Sequence, residues 1–316
     1  MAHNDPRVVA LGGGHGLAAS LTALRHVTSQ LTAVVTVADN GGSSGRLRRE
    51  FGVLPPGDLR MALAALCGDD RWGQTWAEVL QHRFASGGEM NGHSLGNLLI
   101  LSLWELLDDQ VAGLDWVGGL LGARGRVLPM ANEPLDIVAT VSGLDPANPE
   151  ALCDVRGQVE VATTAGRVEA VRLVPANPGA CPEALDAIAS ADWVVLGPGS
   201  WYSSVLPHLL VPDLREALLA TRARIAVTMN LEAQPGETDG LSVSDHLDVL
   251  MAHAPGLPID AVLAASSAIT DPAQLAARVQ DIGARLVLED LAVTGSPGLH
   301  DPIKLGRAYA GLLGAN

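Results

Sequence analysis

Residues 7–37 read RVVALGGGHGLAASLTALRHVTSQLTAVVTV, and this stretch decides the fold. Arg7–Leu11 ends in an unbroken apolar run, the pattern of a strand buried on both faces. Gly12, Gly13, Gly14, His15 and Gly16 follow at once. From Leu17 to Val27 the apolar positions Leu17, Leu21 and Leu24 recur with a helical period. Leu31–Val37 is again β-branched and apolar, as a central parallel strand should be. Strand, glycine loop, helix and strand make a βαβ unit, so the chain opens as a doubly wound α/β fold.

The pattern extends outward from this unit. Ala38–Arg46 reads as loop. Gly57–Leu66, Trp72–Phe84 and Ser94–Leu107 read as helices. Between about 126 and 174 the character changes. Val127–Leu128, Ile137–Val141, Val159–Thr163 and Val168–Val174 are short β runs broken by Gly, Pro and Asn, expected to form a small β-rich insertion. The α/β alternation resumes with strands at Trp193–Leu196 and Ile225–Met229, weaker ones at Ala261–Leu263 and Leu286–Leu288, and helices at Ser204–Leu210, Leu214–Ala220 and Val243–Met251. The expectation is one α/β domain over 1–316, with a mostly parallel sheet of the Rossmann-like kind.

Composition narrows the function. With 316 residues, 48 % hydrophobic and 17 % charged, the chain can bury a large core. A net charge of −15 argues against a general nucleic-acid binder, which needs a basic face to displace phosphate counterions. Aromatics are 3 %, too few for a surface that stacks several bases. Cys67, Cys153 and Cys181 lie far apart, which indicates neither a disulfide framework nor a zinc site. The polar start MAHNDPR lacks the plan of a signal peptide, and the run Leu95–Leu107 is short for a membrane span. These features set the expectation of a cytoplasmic protein. The same run serves a core helix or a homo-oligomer interface.

Chemistry-bearing residues collect after strands. The Gly12–Gly16 loop frees the backbone to approach a ligand, and the helix N-terminus after it favours an anion. Its spacing is neither the dinucleotide fingerprint, since position 17 is Leu, nor a P-loop. A tight turn with no ligand is the alternative, but ligands in open α/β sheets sit at such strand ends. After the second strand come Asp39, Asn40, Gly41, Gly42, Ser43, Ser44, Gly45 and Arg46. Here Asp39 could hold Mg²⁺ or a sugar hydroxyl, and the serines and Arg46 could meet phosphate oxygens. A solvated surface loop is the alternative. Gly57, Asp58 and Arg60 follow Pro55-Pro56, where Asp58 is either an N-cap or a ligand group. His93 and Asn97 enter an apolar helix and need partners, as struts or as ligand contacts. Gly197, Pro198, Gly199, Ser200 and Ser204 follow another buried strand, and Asn230 a further one. Arg46 and Arg60 are expected to bring positive charge to the phosphates. Together these loops point to a nucleotide or phosphorylated-sugar site. No nucleophile–base pair is visible from spacing.

The ordered set GGGHGL, ADNGGSSGRLR, PPGDLR, NGHSLGNL, GPGSWYSSVLPHL and NLEAQPGETDG, from residue 12 to 240, resembles the YvcK-type gluconeogenesis factors of the CofD-like superfamily. The resemblance implies a doubly wound α/β core, a ligand site across the strand ends and a cytoplasmic bacterial protein. It implies binding of UDP-sugars, notably UDP-N-acetylglucosamine, and a link to gluconeogenic growth, cell shape and cell-wall synthesis, with cell-wall regulators among the partners. The glycines at 12, 13, 14 and 16 match its phosphate-side loop, and Gly197–Ser200 its nucleotide-facing loop. The superfamily's phospholactyl transferases use a guanine nucleotide with Mg²⁺ and carry two acidic residues where this chain has Asp39 and Asn40. An amide lacks the charge that Mg²⁺ prefers. Leu241 and Leu299 stand where relatives often have an aromatic residue and an Arg. Three hypotheses follow. They are a UDP-sugar-binding regulator with no turnover and no firmly assigned cofactor, a Mg²⁺-dependent phospholactyl transferase, and an interaction protein with a vestigial pocket.

Overall fold

A computed structural model describes residues 5–234, 237–238 and 240–314. Seven parallel strands form the central sheet. In chain order they are β1 (Val8–Gly12), β2 (Leu31–Val35), β3 (Arg126–Pro129), β7 (Trp193–Leu196), β8 (Arg224–Thr228), β9 (Ile259–Ala265) and β10 (Arg285–Glu289). A three-stranded antiparallel sheet of β4 (Asp136–Ser142), β5 (Cys153–Arg156) and β6 (Arg167–Val174) intervenes. A short ribbon of β11 (Ala292–Val293) and β12 (Ser296–His300) comes late.

The strand order in the large sheet is β10-β9-β8-β7-β1-β2-β3. The chain winds outward from β1 through β2 to β3, then restarts at β7 on the other side of β1 and winds to β10. The reversal falls between β1 and β7, and at such a switch point the loops diverge and leave a crevice beyond the carboxyl ends. Pairs such as Ala10↔Ala33 and Ala10↔Val195 hold the centre in parallel register. β1, β7 and most of β2 are buried, which accounts for their continuous apolar runs.

Helices cover the sheet. They are α1 (Gly14–Leu24), α2 (Gly42–Phe51), α3 (Pro56–Ala65), α4 (Arg71–Gln81), α5 (Leu95–Leu107), α6 (Gln110–Leu121), α7 (Gln158–Ala162), α8 (Pro182–Ser190), α9 (Pro207–Leu210), α10 (Pro212–Ala220), α11 (Val243–His253), α12 (Pro272–Asp281) and α13 (Pro302–Leu313). A π-helical turn spans Trp201–Val205. No described helix is long and apolar enough to cross a membrane.

Several expectations need correction. Val127–Leu128 belongs to the large sheet as β3, in register with Ala33 and Val34, so the separate β structure begins only at Asp136. Val159–Thr163 is helical where a strand was expected. The alternation Val-Glu-Val imitates a strand, but Val161 is buried on one side of a single helical turn. α1 starts at Gly14, three residues before its apolar period, and α2 starts inside the expected loop, at Gly42. Serine and glycine are poor helix formers. α2 forms because Ser43, Ser44 and Leu47 are buried against its neighbours. The expected loop Asn230–Gly240 includes residues 235, 236 and 239, which lie outside the described residues.

Candidate functional site

The crevice at the switch point is a cavity of about 710 Å³, within the usual range for small-molecule sites. One wall is the N-terminus of α1. Its first backbone bond runs from Leu17 N–H to the Gly13 carbonyl, so the amides of Gly14, His15 and Gly16 precede the helix ladder. Gly13, Gly14, His15 and Gly16 all line the cavity. Glycine is required at 16 by close approach, since a Cβ there would overlap the Pro198 carbonyl.

The facing wall is the loop after β7, with Pro198, Gly199, Ser200 and Ser204 in the lining. Gly199 N–H donates to Asn230 Oδ1 at 2.9 Å, and Asn230 Nδ2 donates to the Gly199 carbonyl at 2.8 Å. Ser200 Oγ donates to Glu237 Oε2. Glu237 Oε1 accepts the Tyr202 and Ser203 amides at 3.1 and 2.9 Å. Burial pushes the Glu237 carboxyl up, while these donors pull it down. From behind, Tyr309 on α13 bonds Ser20 Oγ at 2.7 Å and Thr228 Oγ1 at 2.9 Å, and Ser20 donates to the Gly197 carbonyl at 3.2 Å. The loop is thus braced from both sides.

Asp39, after β2, and Asp58, in the first turn of α3, also line the cavity. Burial, with repulsion from Asp39 second, pushes the Asp58 carboxyl up to about 7, against the pull of the Gly14 amide and Arg60. Thr36 Oγ1 and His300 Nε2 are buried at the lining with no hydrogen-bond partner among the described residues. Burial holds His300 neutral by pushing it down to about 4. Unpaired buried polar atoms at a cavity wall are places where a ligand repays their desolvation.

The remaining candidates lie behind this wall. Ser43 Oγ is 3.1 Å from His93 Nδ1, 3.1 Å from Asn97 Nδ2 and 3.3 Å from the Ser94 amide nitrogen. A hydroxyl that accepts from the two nitrogen donors has one proton left to give, so it donates to His93 Nδ1. Burial first, then Arg46, keeps His93 below its ordinary value, which suits an acceptor. Arg60 Nε donates to Asn97 Oδ1 at 2.9 Å, with the guanidinium buried and pushed down to about 10 by desolvation. Arg46 donates to the Glu89 and Asn91 carbonyls at 3.0 and 2.8 Å. Gly57 packs against Ser44 and Asp39. Gly12 ends β1 and Gly197 follows β7, and neither lines the cavity. Asn40, Gly41, Gly42, Ser43, Ser44, Gly45, Arg46, Gly57, Arg60, His93 and Asn97 do not line the cavity.

The expected phosphate-facing arginines are therefore absent from the wall. Among the described residues no Lys or Arg lines the cavity, whereas Asp39, Asp58 and Glu232 do. Arg46 donates to two carbonyls and Arg60 Nε to Asn97, while Arg60 Nη1 is buried with no hydrogen-bond partner among the described residues. Lining groups that sequence reasoning missed include Thr36, Gln158, Gln234, Glu232 and His300. Thr36 carried a readable signal, a polar residue at the carboxyl end of a buried strand. Gln158 and His300 carried none. Leu299 lines the cavity mouth and is exposed, while Leu241 lines a separate hollow beside Tyr202 and His253.

This geometry defines a doubly wound α/β protein with a cavity at its topological switch point, lined in part by the N-terminus of α1. Residues 8–297 match the family model described as 2-phospho-L-lactate transferase CofD, and the chain belongs to the CofD family. It is 52 % identical over 308 residues to a Mycobacterium tuberculosis protein whose name contains the words gluconeogenesis factor, covering 96 % of this chain and 90 % of that one. It is 36 % identical to the gluconeogenesis factor of Bacillus subtilis, covering 94 % and 91 %. The crystal structure of a UPF0052 family member from Bacillus halodurans superimposes with a TM-score of 0.85 at 33 % identity, covering 97 % of this chain and 99 % of that one.

Proposed function

We propose that the chain is a cytoplasmic nucleotide-sugar-binding regulatory protein, with UDP-N-acetylglucosamine as its ligand, acting in gluconeogenic growth and cell-wall synthesis. The observation that carries this reading is the joint lining of one cavity by the α1 residues whose amides precede the helix ladder and by the braced loop after β7. Backbone amides at a helix N-terminus suit a diphosphate. The cavity leaves Thr36, Gln158, Gln234 and His300 for hydroxyls and a base edge. The names of the relatives support the link to carbon metabolism. Calorimetric titration with UDP-N-acetylglucosamine, against UDP and GDP, is the test. Micromolar binding that needs both uridine and sugar is expected, and no heat at saturation would overturn the reading.

One observation favours a second reading, Mg²⁺-dependent transfer of the kind in the family's name. A diphosphate entering a wall with carboxylates and no Lys or Arg needs positive charge from elsewhere. Asp39 and Asp58 fit a cation shared with ligand phosphates, as Mg²⁺ is commonly held. Among the described residues no group of three or more His, Cys, Asp or Glu could hold a metal by itself. Bound there, Mg²⁺ would neutralise phosphate charge, while the α1 amides orient the phosphates. Tight binding of GDP only with Mg²⁺, and none of uridine, would put this reading first.

A further inference from the structure

Asn40 follows Asp39 directly in sequence, yet it turns from the cavity toward α7. Its Oδ1 accepts the Val159 amide at 3.2 Å, and its Nδ2 donates to Glu160 Oε2 at 2.9 Å. Both partners lie 119 or more residues away, on the one helical turn between β5 and β6. Gly157, the residue before α7, has a φ of +112°, and a Cβ there would overlap the Glu160 carboxylate and the Asn40 amide. Gly41 is also close, its α-carbon facing a Val159 methyl. Residues from two distant parts of the chain thus converge on one polar contact. The first residue of α7, Gln158, is the only cavity-lining residue between positions 126 and 190.

The contact needs an amide. Asn presents an acceptor to the Val159 N–H and a donor to Glu160 at once. An aspartate would present only acceptors and would oppose one carboxylate with another. We infer that Asn40 is a positioning residue that clamps α7 over the strand ends and so makes Gln158 a wall of the ligand cavity. The function of that wall rests on the ligand reading above. The clamp commits both ends of the Asn40 amide to α7, while its neighbour Asp39 lines the cavity. Gln158 in turn offers a carbonyl and an amine to ligand hydroxyls or a base edge, which makes the insertion a determinant of specificity.

The test compares four full-length proteins: wild type, Asn40→Asp, Glu160→Gln and the double variant. Amide hydrogen exchange over residues 158–163 is read first, without ligand. Asn40→Asp is expected to speed it about tenfold, and the double variant to restore it, because a Gln amide can donate to a carboxylate. Titration with UDP-N-acetylglucosamine is read second. Asn40→Asp is expected to weaken binding about tenfold, with recovery in the double variant. Unchanged exchange in Asn40→Asp overturns the clamp. Faster exchange with unchanged affinity overturns its service to the cavity. A wild type that does not bind this probe counts against the nucleotide-sugar reading, and the exchange series still decides the clamp.

Discussion

The side chain of Asn230 holds the peptide of Gly199 at both ends, accepting its N–H at 2.9 Å and donating to its carbonyl at 2.8 Å. Asn230 follows β8 and Gly199 follows β7, so this pair ties together two adjacent loops at the switch point. Asn230→Asp keeps the acceptor and sets a carboxylate against the Gly199 carbonyl. The expected result is a loss of about 1–3 kcal/mol in stability, the cost of a partly buried polar pair broken on one side. Affinity for UDP-N-acetylglucosamine should fall by more. Denaturant unfolding and calorimetry on the same sample separate the two effects.

Asp58 predicts a pH dependence. Its carboxyl is pushed up to about 7 from an ordinary 3.8, so the folded protein holds that proton more tightly than the unfolded chain. The stability this contributes is fully present below about pH 4 and is lost as pH rises through 7. Asp58→Asn removes the charge and therefore the loss. The melting temperature of the variant should exceed that of the wild type at pH 8 by a few degrees, and the gap should shrink toward pH 4. Equal gaps at both pH values would show that Asp58 is not held protonated by its burial beside Asp39.

The parts of the cavity lining that were legible in sequence are glycine-rich turns at the ends of strands. Gly12–Gly16 and Gly197–Ser200 each lie at the end of an apolar strand, where glycines add no side chain to the core and let the two loops approach closely. Asp39 and Asp58 were legible as carboxylates in glycine-rich turns. His93, Asn97 and Arg60 looked like the same kind of signal, and the structure places them in a buried network with Ser43. A polar side chain entering an apolar helix reads alike whether it meets a ligand or a neighbour. His300 and Gln158 were not legible, because each reaches the cavity only through tertiary placement of a ribbon or a single helical turn. Glu237 was visible in its loop, but nothing local shows that it is buried against the Ser203 amide.

That network gives a prediction separating support from ligand contact. Ser43→Ala leaves the Ser94 amide, Asn97 Nδ2 and His93 Nδ1 without their shared partner in a buried place. The stability loss should be about 2–3 kcal/mol. Since Ser43 does not line the cavity, affinity for UDP-N-acetylglucosamine in the folded protein should change less than twofold. Arg46→Glu should likewise leave affinity nearly unchanged at low salt. A large loss of diphosphate affinity in either variant would place these side chains in the ligand's reach.

Tyr309 connects the far end of the chain to the site. Its hydroxyl is fully buried, pushed up to about 12 by burial, and bonded to Ser20 and Thr228. Ser20 continues the chain to the Gly197 carbonyl at the start of the ligand loop. Tyr309→Phe fills nearly the same space and removes only the oxygen, leaving two buried hydroxyls one partner short. The expected cost is about 1–2 kcal/mol, or a few degrees in melting temperature for a chain of this size. Because the Gly197 loop loses its rear brace, amide exchange at Gly199 should rise while that of β8 stays slow. An equal rise in both would make Tyr309 a general core residue with no particular hold on the loop.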